Sequence, residues 1–310
     1  MKRIYKLTPA LFANLWGGNK LRAFGKDSAE DRIGESWELS FVPGSEALAD
    51  GKRMSEAFPK STWGKRAERF EFFPTLTKFI DAREKLSVQV HPSDEYALKN
   101  EGQYGKSEMW YVVAADEGAG LYMGFEREYT KDEITRAIAD GVVETMLSFK
   151  PVLAGDVFFI PAGTVHAIGG GVLIFEIQQN STLTYRLYDY GRRDKAGNLR
   201  ELHVDRAMNV LNTGVYHQAE TAPGAACGER TIGECEYFTV KEYTIDGSTA
   251  SVTVDGESFK SITVVSGECE ITSGTEVYTA QKGDSFFIPA QDSELRVCIS
   301  GTAKFITVCI

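Results

Sequence analysis

The sequence predicts a mainly β protein with helical insertions, organised as two β-rich regions. Three observations predict it. Short apolar stretches follow one another with Gly, Pro and Asp between them, the spacing of a sandwich or barrel. They do not alternate with long helical patterns, as a parallel sheet of βαβ units requires. And one strand-and-turn unit is written twice: LAGDVFFIPAGTVHAI (153–168) and QKGDSFFIPAQDSELRV (281–297) share Gly-Asp-x-Phe-Phe-Ile-Pro-Ala, a turn, an apolar strand and a second turn.

The elements follow in order. MSEAFPKSTWGKRAERF, 54–70, has mixed polarity and reads as a helix despite its proline. KFIDA (78–82) and LSVQVH (86–91) read as strands. In the second, Leu86, Val88 and Val90 alternate with Ser87, Gln89 and His91, so one face carries a hydroxyl, an amide and an imidazole. Residues 92–102 read as a helical insertion that Ser93 or Asp94 caps and Gly102 ends. MWYVVAA (109–115) and AGLYMGF (119–125) are strands. A helix is expected over about 130–148, where Thr130 and Glu133 form a capping box and Ile134, Ile138 and Val142 recur at four. Strands GDVFFIPAG (155–163), GVLIFEIQQ (171–179) and TYRLYDY (184–190) follow. QAETAPGAACGER, 218–230, is rich in small residues and reads as a linker. The expected division is a first domain over 1–217, the linker, and a second β-domain over 231–310.

Composition narrows the function. The 310 residues are 43% hydrophobic and 25% charged, with a formal net charge of −10. That balance disfavours nucleic acid as a partner, because phosphate neutralisation needs clustered Lys and Arg. It leaves room for a small phosphorylated substrate. No apolar run is long enough to span a membrane, and the N-terminus lacks the pattern of a cleaved leader, so a cytoplasmic protein is expected. All five cysteines fall after residue 226, odd in number and without a CxxC pair. They read as buried thiols in a reducing compartment. A metal site would have to be built from carboxylates and four histidines: His91, His166, His203 and His217.

The first copy of the repeat carries His166; the second has Glu294 there. A fold duplicated with its histidine unduplicated is what a site grafted on a scaffold looks like. Gln89 and His91, two apart on a strand, share a face. Glu108 follows the 92–102 insertion, which returns the chain to the barrel. Set against the cupin superfamily, whose first motif carries His-x-His on a strand with a Glu beyond it, this pattern implies that Gln89, His91, Glu108 and His166 converge on one divalent ion, zinc first. His203 and His217 read as ordinary surface or helix residues.

Gly155, Pro161, Gly163 and His166 match the second motif of the cupin superfamily, a small β-barrel or jelly roll whose histidine binds metal. The match departs at Gly170, where an asparagine is common. Over LFANLWGGNKL, IGESWELS, FFPTLTKFIDA, LSVQVHPSDEYA, GKSEMWYV, GDVFFIPAGTVHAIGGG and TYRLYDYGR, spanning residues 11–192 in order, the chain resembles the bacterial short-form type I mannose-6-phosphate isomerases. The last third resembles their degenerate cupin-like domain. The resemblance implies one zinc per chain on Gln89, His91, Glu108 and His166. It implies a catalytic arginine at Arg186, an acidic residue at Glu176, a lysine at Lys106 and a substrate-facing Ser87.

The implied reaction interconverts mannose 6-phosphate and fructose 6-phosphate through an enediol, and each residue suits a part of it. Arg186 has a permanent cation for phosphate or enediolate charge. Glu176 or Lys106 could move protons, and Lys106, Ser87, Arg186 and, more weakly, Lys78 could bind substrate. Two other readings are open at this point: a metal-dependent cupin oxygenase, and a non-catalytic sugar-phosphate-binding cupin. A monomer or weak homo-oligomer is expected.

Overall fold

The structure is a computed structural model and describes residues 3–194, 196–218 and 227–310. It is mainly β, with few helices. Contacts group the chain into two compact units. One comprises Met1–Phe12, Lys20–Phe79 and Glu220–Ile310, the other Ala13–Asn19 and Ile80–Ala219. The grouping differs from the sequence division for much of the first 79 residues.

The first unit holds a nine-stranded sheet. Its order runs Gly228–Glu234, Thr239–Val254, Leu295–Cys309, Lys260–Ser273, Ser285–Ile288, Tyr5–Thr8, Leu48–Ala49, Lys52–Arg53, with Glu276–Gln281 beside Lys260–Ser273. Its core is closed by Tyr243, Ile262, Ile271, Phe286, Val297, Phe305 and their neighbours. Behind it lies a buried ion pair: Lys26 Nζ donates to Glu38 Oε2 at 2.9 Å and to the Gly283 carbonyl at 2.6 Å. Ser36 and Ser285 hydroxyls complete the Glu38 shell.

The second unit holds a five-stranded sheet in the order Leu147–Pro151, Gly120–Phe125, His166–Ile168, Val88–Val90, Tyr185–Tyr188. A further strand, Glu108–Ala115, pairs with Val157–Ile160 and with Val172–Gln179. Trp110, Val112, Phe158 and Ile174 pack against Leu121, Met123 and Ile168 of the five-stranded sheet, so two sheets share one interior. The outer face of that sheet (Val88, Val90, Val165, Ala167, Tyr185 and Leu187) is covered by Ile134, Ala137, Ile138 and Ala207 from helices Lys131–Ala139 and Val204–Val210. This explains the odd strand: its valines pack under helices, which turns Gln89 towards the interior.

The capping box forms as read, with Thr130 Oγ1 accepting from Glu133 N and Glu133 accepting from Thr130 N. The insertion is a helix over Asp94–Glu101 closed by Gly102 in the left-handed region, φ 64°. The expected helix at 54–70 is instead one turn, Met54–Ala57, and two 3-10 turns, Lys60–Thr62 and Lys65–Ala67. Pro59 and Gly64, at φ +95°, break it. A Cβ on Gly64 would lie 2.6 Å from the Ser258 backbone, so the chain there is shaped by close approach. The helix expected over 130–148 stops at Ala139, and Leu147–Pro151 is an edge strand. Most of the expected linker, 219–226, lies outside the described residues, and Gly228–Arg230 already belong to a strand. The cysteine expectation needs correction: Cys269 is buried, but Cys227 is exposed and the others are partly so. Among the described residues, no helix is long and apolar enough to cross a membrane.

The repeat is reproduced in its hydrogen bonds. Gly155 and Gly283 have φ +95° and +94°. Gly155 N donates to Val112 O, and Gly283 N to Val264 O, both at 2.8 Å. Val112 N and Val264 N donate back to Asp156 O and Asp284 O at 2.9 Å. Each aspartate side chain takes the amide three residues earlier, Leu153 N at 2.8 Å and Gln281 N at 3.0 Å.

Candidate metal centre

Gln89 lies opposite His166 on one side and Arg186 on the other, so cross-strand pairing alone brings three candidates together. His91 and His166 are fully buried. Each ring is fixed by its Nδ1: His91 to the Leu183 carbonyl at 2.7 Å, His166 to the Thr164 carbonyl at 2.9 Å. A carbonyl can only accept, so the proton sits on Nδ1 and each Nε2 presents its lone pair to the interior. Glu108 Oε1 lies 3.0 Å from His91 Nε2, and Oε2 lies 3.7 Å from His166 Nε2. The Gln89 amide nitrogen is 3.2 Å from His166 Nε2 and 3.5 Å from His91 Nε2. Ligand atoms of His91, Glu108 and His166 all lie within 4.8 Å of one another.

The donor set fits a divalent cation. Both Glu108 oxygens are buried and accept no aligned hydrogen bond, a costly condition for a carboxylate. The Gln178 carbonyl oxygen, on the residue opposite Glu108, is in the same state. Burial pushes both imidazoles down, His91 to about 3, so they are neutral ligands at neutral pH. Burial alone would raise the Glu108 carboxyl, but the Lys106 ammonium holds it well below the usual carboxylate range.

The insertion places Glu108. Gly105 N donates to Asp94 Oδ1 at 2.6 Å and Lys106 N to Pro92 O at 2.9 Å, so the chain is stitched where it leaves and rejoins the barrel. A Cβ on Gly105 would sit 2.4 Å from the Ser93 carbonyl carbon, which is why the returning residue has no side chain. Lys106 Nζ then reaches Glu108 Oε1 at 2.6 Å and His91 Nε2 at 3.4 Å.

Of the other expected residues, Ser87 donates to Gln89 Oε1 at 3.3 Å and accepts from Arg186 Nε at 3.3 Å. Glu176 is buried and accepts from Trp110 Nε1 at 2.7 Å; the Trp110 ring stands edge-on to His166 at 5.3 Å. Glu176 therefore stands behind an indole rather than among the ligands. Lys78 belongs to the other unit, where its ammonium lies 3.4 Å from Glu35 Oε2 and 5.5 Å from the Trp37 ring centroid.

The sequence reading missed two features. Arg192 and Arg200 join Arg186 around one buried carboxylate: Arg192 Nη2 bonds Asp189, and Arg200 Nη1 lies 3.5 Å from it. Burial lowers the Arg186 guanidinium, and Arg200 beside it lowers it further. Four arginines and one aspartate within 186–193 and 200 were the available signal. The second is His203, whose ring faces the Arg186 backbone.

Comparisons with known proteins agree with this architecture. The model of the family described as "Mannose-6-phosphate isomerase, cupin domain" matches residues 229–310. A mannose-6-phosphate isomerase of Streptococcus mutans is 38% identical over 291 residues, 91% of each chain. The Bacillus subtilis mannose-6-phosphate isomerase ManA is 36% identical over 290 residues, again 91% of each. The crystal structure of a mannose 6-phosphate isomerase from Bacillus subtilis superposes with a TM-score of 0.88 at 33% identity, covering 100% of both chains. A mannose 6-phosphate isomerase solved with zinc and yttrium has a TM-score of 0.80 at 17% identity, covering 99% of both, a likeness of fold.

Proposed function

The chain belongs to the mannose-6-phosphate isomerase family, and from that premise we propose how its residues carry the reaction. It is an aldose–ketose isomerase. The substrates are mannose 6-phosphate and fructose 6-phosphate, handled in the cytoplasm by a monomer or weak homo-oligomer. The metal is zinc, one per chain, held by Gln89, His91, Glu108 and His166. One observation carries this: four side chains from three strands meet, with two imidazole lone pairs and a buried carboxylate that accepts no aligned hydrogen bond facing one point. Gln89 would ligate through its oxygen, so the amide turns half round and its NH2 then donates to Ser87 Oγ.

A bound divalent ion supplies Lewis acidity, drawing charge from substrate oxygens so that the carbon-bound proton at C2 or C1 is easier to remove. The chain's own residues supply the rest. Arg186 offers a fixed guanidinium to the anionic end of the substrate or to enediolate charge. Arg192 and Arg200 beside it add to a local excess of positive charge over Asp189 that suits a phosphate dianion in an otherwise acidic protein. Ser87 Oγ–H is a donor between Gln89 and Arg186, placed to orient a substrate hydroxyl. Lys106 Nζ, the proton-bearing group nearest the ligand atoms, is assigned to holding and passing protons at substrate oxygens. Glu176 is assigned to fixing Trp110 against His166. Lys78, expected as a weaker phosphate ligand, lies in the other unit against Glu35 and is given no part here.

The deciding experiment is a coupled assay of fructose 6-phosphate formed from mannose 6-phosphate, before chelation, after it, and after zinc is restored. Activity that survives complete metal removal would sink the reading.

A further inference from the structure

We propose that His203 is a positioning residue for Arg186, holding the arginine's main chain through a neutral imidazole. The inference rests on the role given to Arg186 above.

Strand Tyr185–Tyr188 is the last of the five-stranded sheet; it pairs with Val88–Val90 on one side and, among the described residues, with no strand on the other. In an antiparallel strand the N–H and C=O of one residue point to the same side. Both groups of Arg186 go to His203. His203 N donates to Arg186 O at 2.8 Å, and Arg186 N donates to His203 Nδ1 at 3.3 Å. An imidazole ring thus takes the place of a neighbouring strand at one residue, and that residue is where the register shifts, between Arg186 and Tyr188. Such irregularities aim a side chain, and they need a partner for the backbone they expose.

The same segment holds the other end of the arginine: Glu201 O accepts from Arg186 Nη1 at 2.8 Å. His203 is also the N-cap of helix Val204–Val210, yet its side chain makes no capping bond there. Its ring points to the sheet instead. Caps are usually Ser, Thr, Asp or Asn, so the histidine is better explained by Arg186 than by the helix.

The bond at Nδ1 requires the proton on Nε2, which lies 3.8 Å from Glu201 Oε2. The groups facing the ring are Arg186 from the strand, Glu201 from its own loop, Arg206 from the following helix, Glu101 from the end of helix Asp94–Glu101, and the Tyr185 ring at 6.3 Å. Burial and then Arg186 push the imidazole down, which keeps it neutral. Protonation would remove the acceptor and set a second cation beside the guanidinium.

The test compares His203→Ala, His203→Asn and His203→Gln in the zinc-loaded enzyme. An Asn Oδ1 can stand where Nδ1 stands; the Gln amide reaches Nε2 instead. We expect kcat/KM to fall roughly ten- to a hundredfold in His203→Ala and His203→Gln, with metal content and far-UV circular dichroism unchanged, and to recover to within about threefold in His203→Asn. The acid limb of kcat/KM should lose one ionisation in His203→Asn over the pH range where metal stays bound. Full activity in His203→Ala, no recovery in His203→Asn, or an unaltered acid limb overturns the proposal. Amide exchange of Arg186 N–H gives a readout independent of catalysis, expected to quicken in His203→Ala and not in His203→Asn. An inactive wild-type enzyme would instead sink the isomerase reading, while the exchange result still decides the positioning role.

Discussion

Lys106 stands 2.6 Å from a carboxylate that is itself 0% exposed, and replacing it with methionine has a calculable effect on the metal-free protein. Methionine keeps most of the length and the apolar stem of the lysine but leaves Glu108 without a full cation once metal is stripped. A buried carboxylate in that position takes up a proton rather than stay charged. Its usual pKa is 4.5, so keeping it protonated in the fold at pH 8 costs up to about 5 kcal/mol, at about 1.4 kcal/mol per pH unit. At pH 6 the same ceiling is about 2 kcal/mol. The folded state then holds more protons than the unfolded, so stability falls as pH rises. Bound metal restores the missing positive charge, so the loss is confined to the chelated form. At about 2 °C per kcal/mol for a chain of this size, the gap in Tm between loaded and chelated protein should widen beyond the wild-type gap by up to about 10 °C at pH 8 and about 4 °C at pH 6. Differential scanning calorimetry with and without chelator reads this directly. A gap equal to wild type at pH 8, or one that does not narrow at pH 6, refutes Lys106 as the counter-charge of Glu108.

Other expectations are simpler. His166→Ala should lose metal and turnover together, whereas Arg186→Ala should keep stoichiometric metal, measured by emission spectroscopy, and lose turnover; retained activity in either variant contradicts the assignment. The chelated wild-type protein should show the opposite pH trend to Lys106→Met. His91 is pushed from 6.5 to about 3 in the fold, so the unfolded chain binds its proton first and stability falls as pH drops from about 6.5 towards 3. A denaturation midpoint that rises on acidification across that window would contradict a neutral His91. Gly155→Ala and Gly283→Ala share a left-handed backbone, but a Cβ meets nothing within 4 Å at Gly155 and the Phe24 carbonyl oxygen at 2.1 Å at Gly283. The first should cost about 1–2 kcal/mol and the second clearly more by urea denaturation; equal losses would show that the crowding at Gly283 relaxes freely.

The meeting of the candidate metal ligands was legible because part of it is written in strand periodicity. Gln89 and His91 share a face by spacing, and their companions Val88 and Val90 announce the other face by their apolarity. The twofold Gly-Asp unit was legible because the turn fixes both a positive φ and a side-chain acceptor, and few residue pairs meet both demands. Glu108 was readable only once the intervening segment was taken as an insertion. What escaped were features settled by distant partners. Arg192 and Arg200 lie in a loop without periodicity and meet at Asp189. The strand Leu147–Pro151 is at a sheet edge with Phe149 exposed, so it lacks alternation and read as the tail of a helix. The helical reading of 54–70 failed where Gly64 passes against the Ser258 backbone, a constraint from 194 residues away in the chain that no local window contains.

The second copy of the Gly-Asp corner has a last implication. Where the first borders a polar interior, the second borders a solid one, closed by Phe286, Phe305, Ile271 and Val297. The position matching His166 in the alignment, Glu294, faces solvent. That half therefore differs from the first in geometry as well as in the residue at the histidine's position. An engineer who grafted imidazoles there would find no chamber for an ion, and would first have to hollow out hydrocarbon and swing a loop inward.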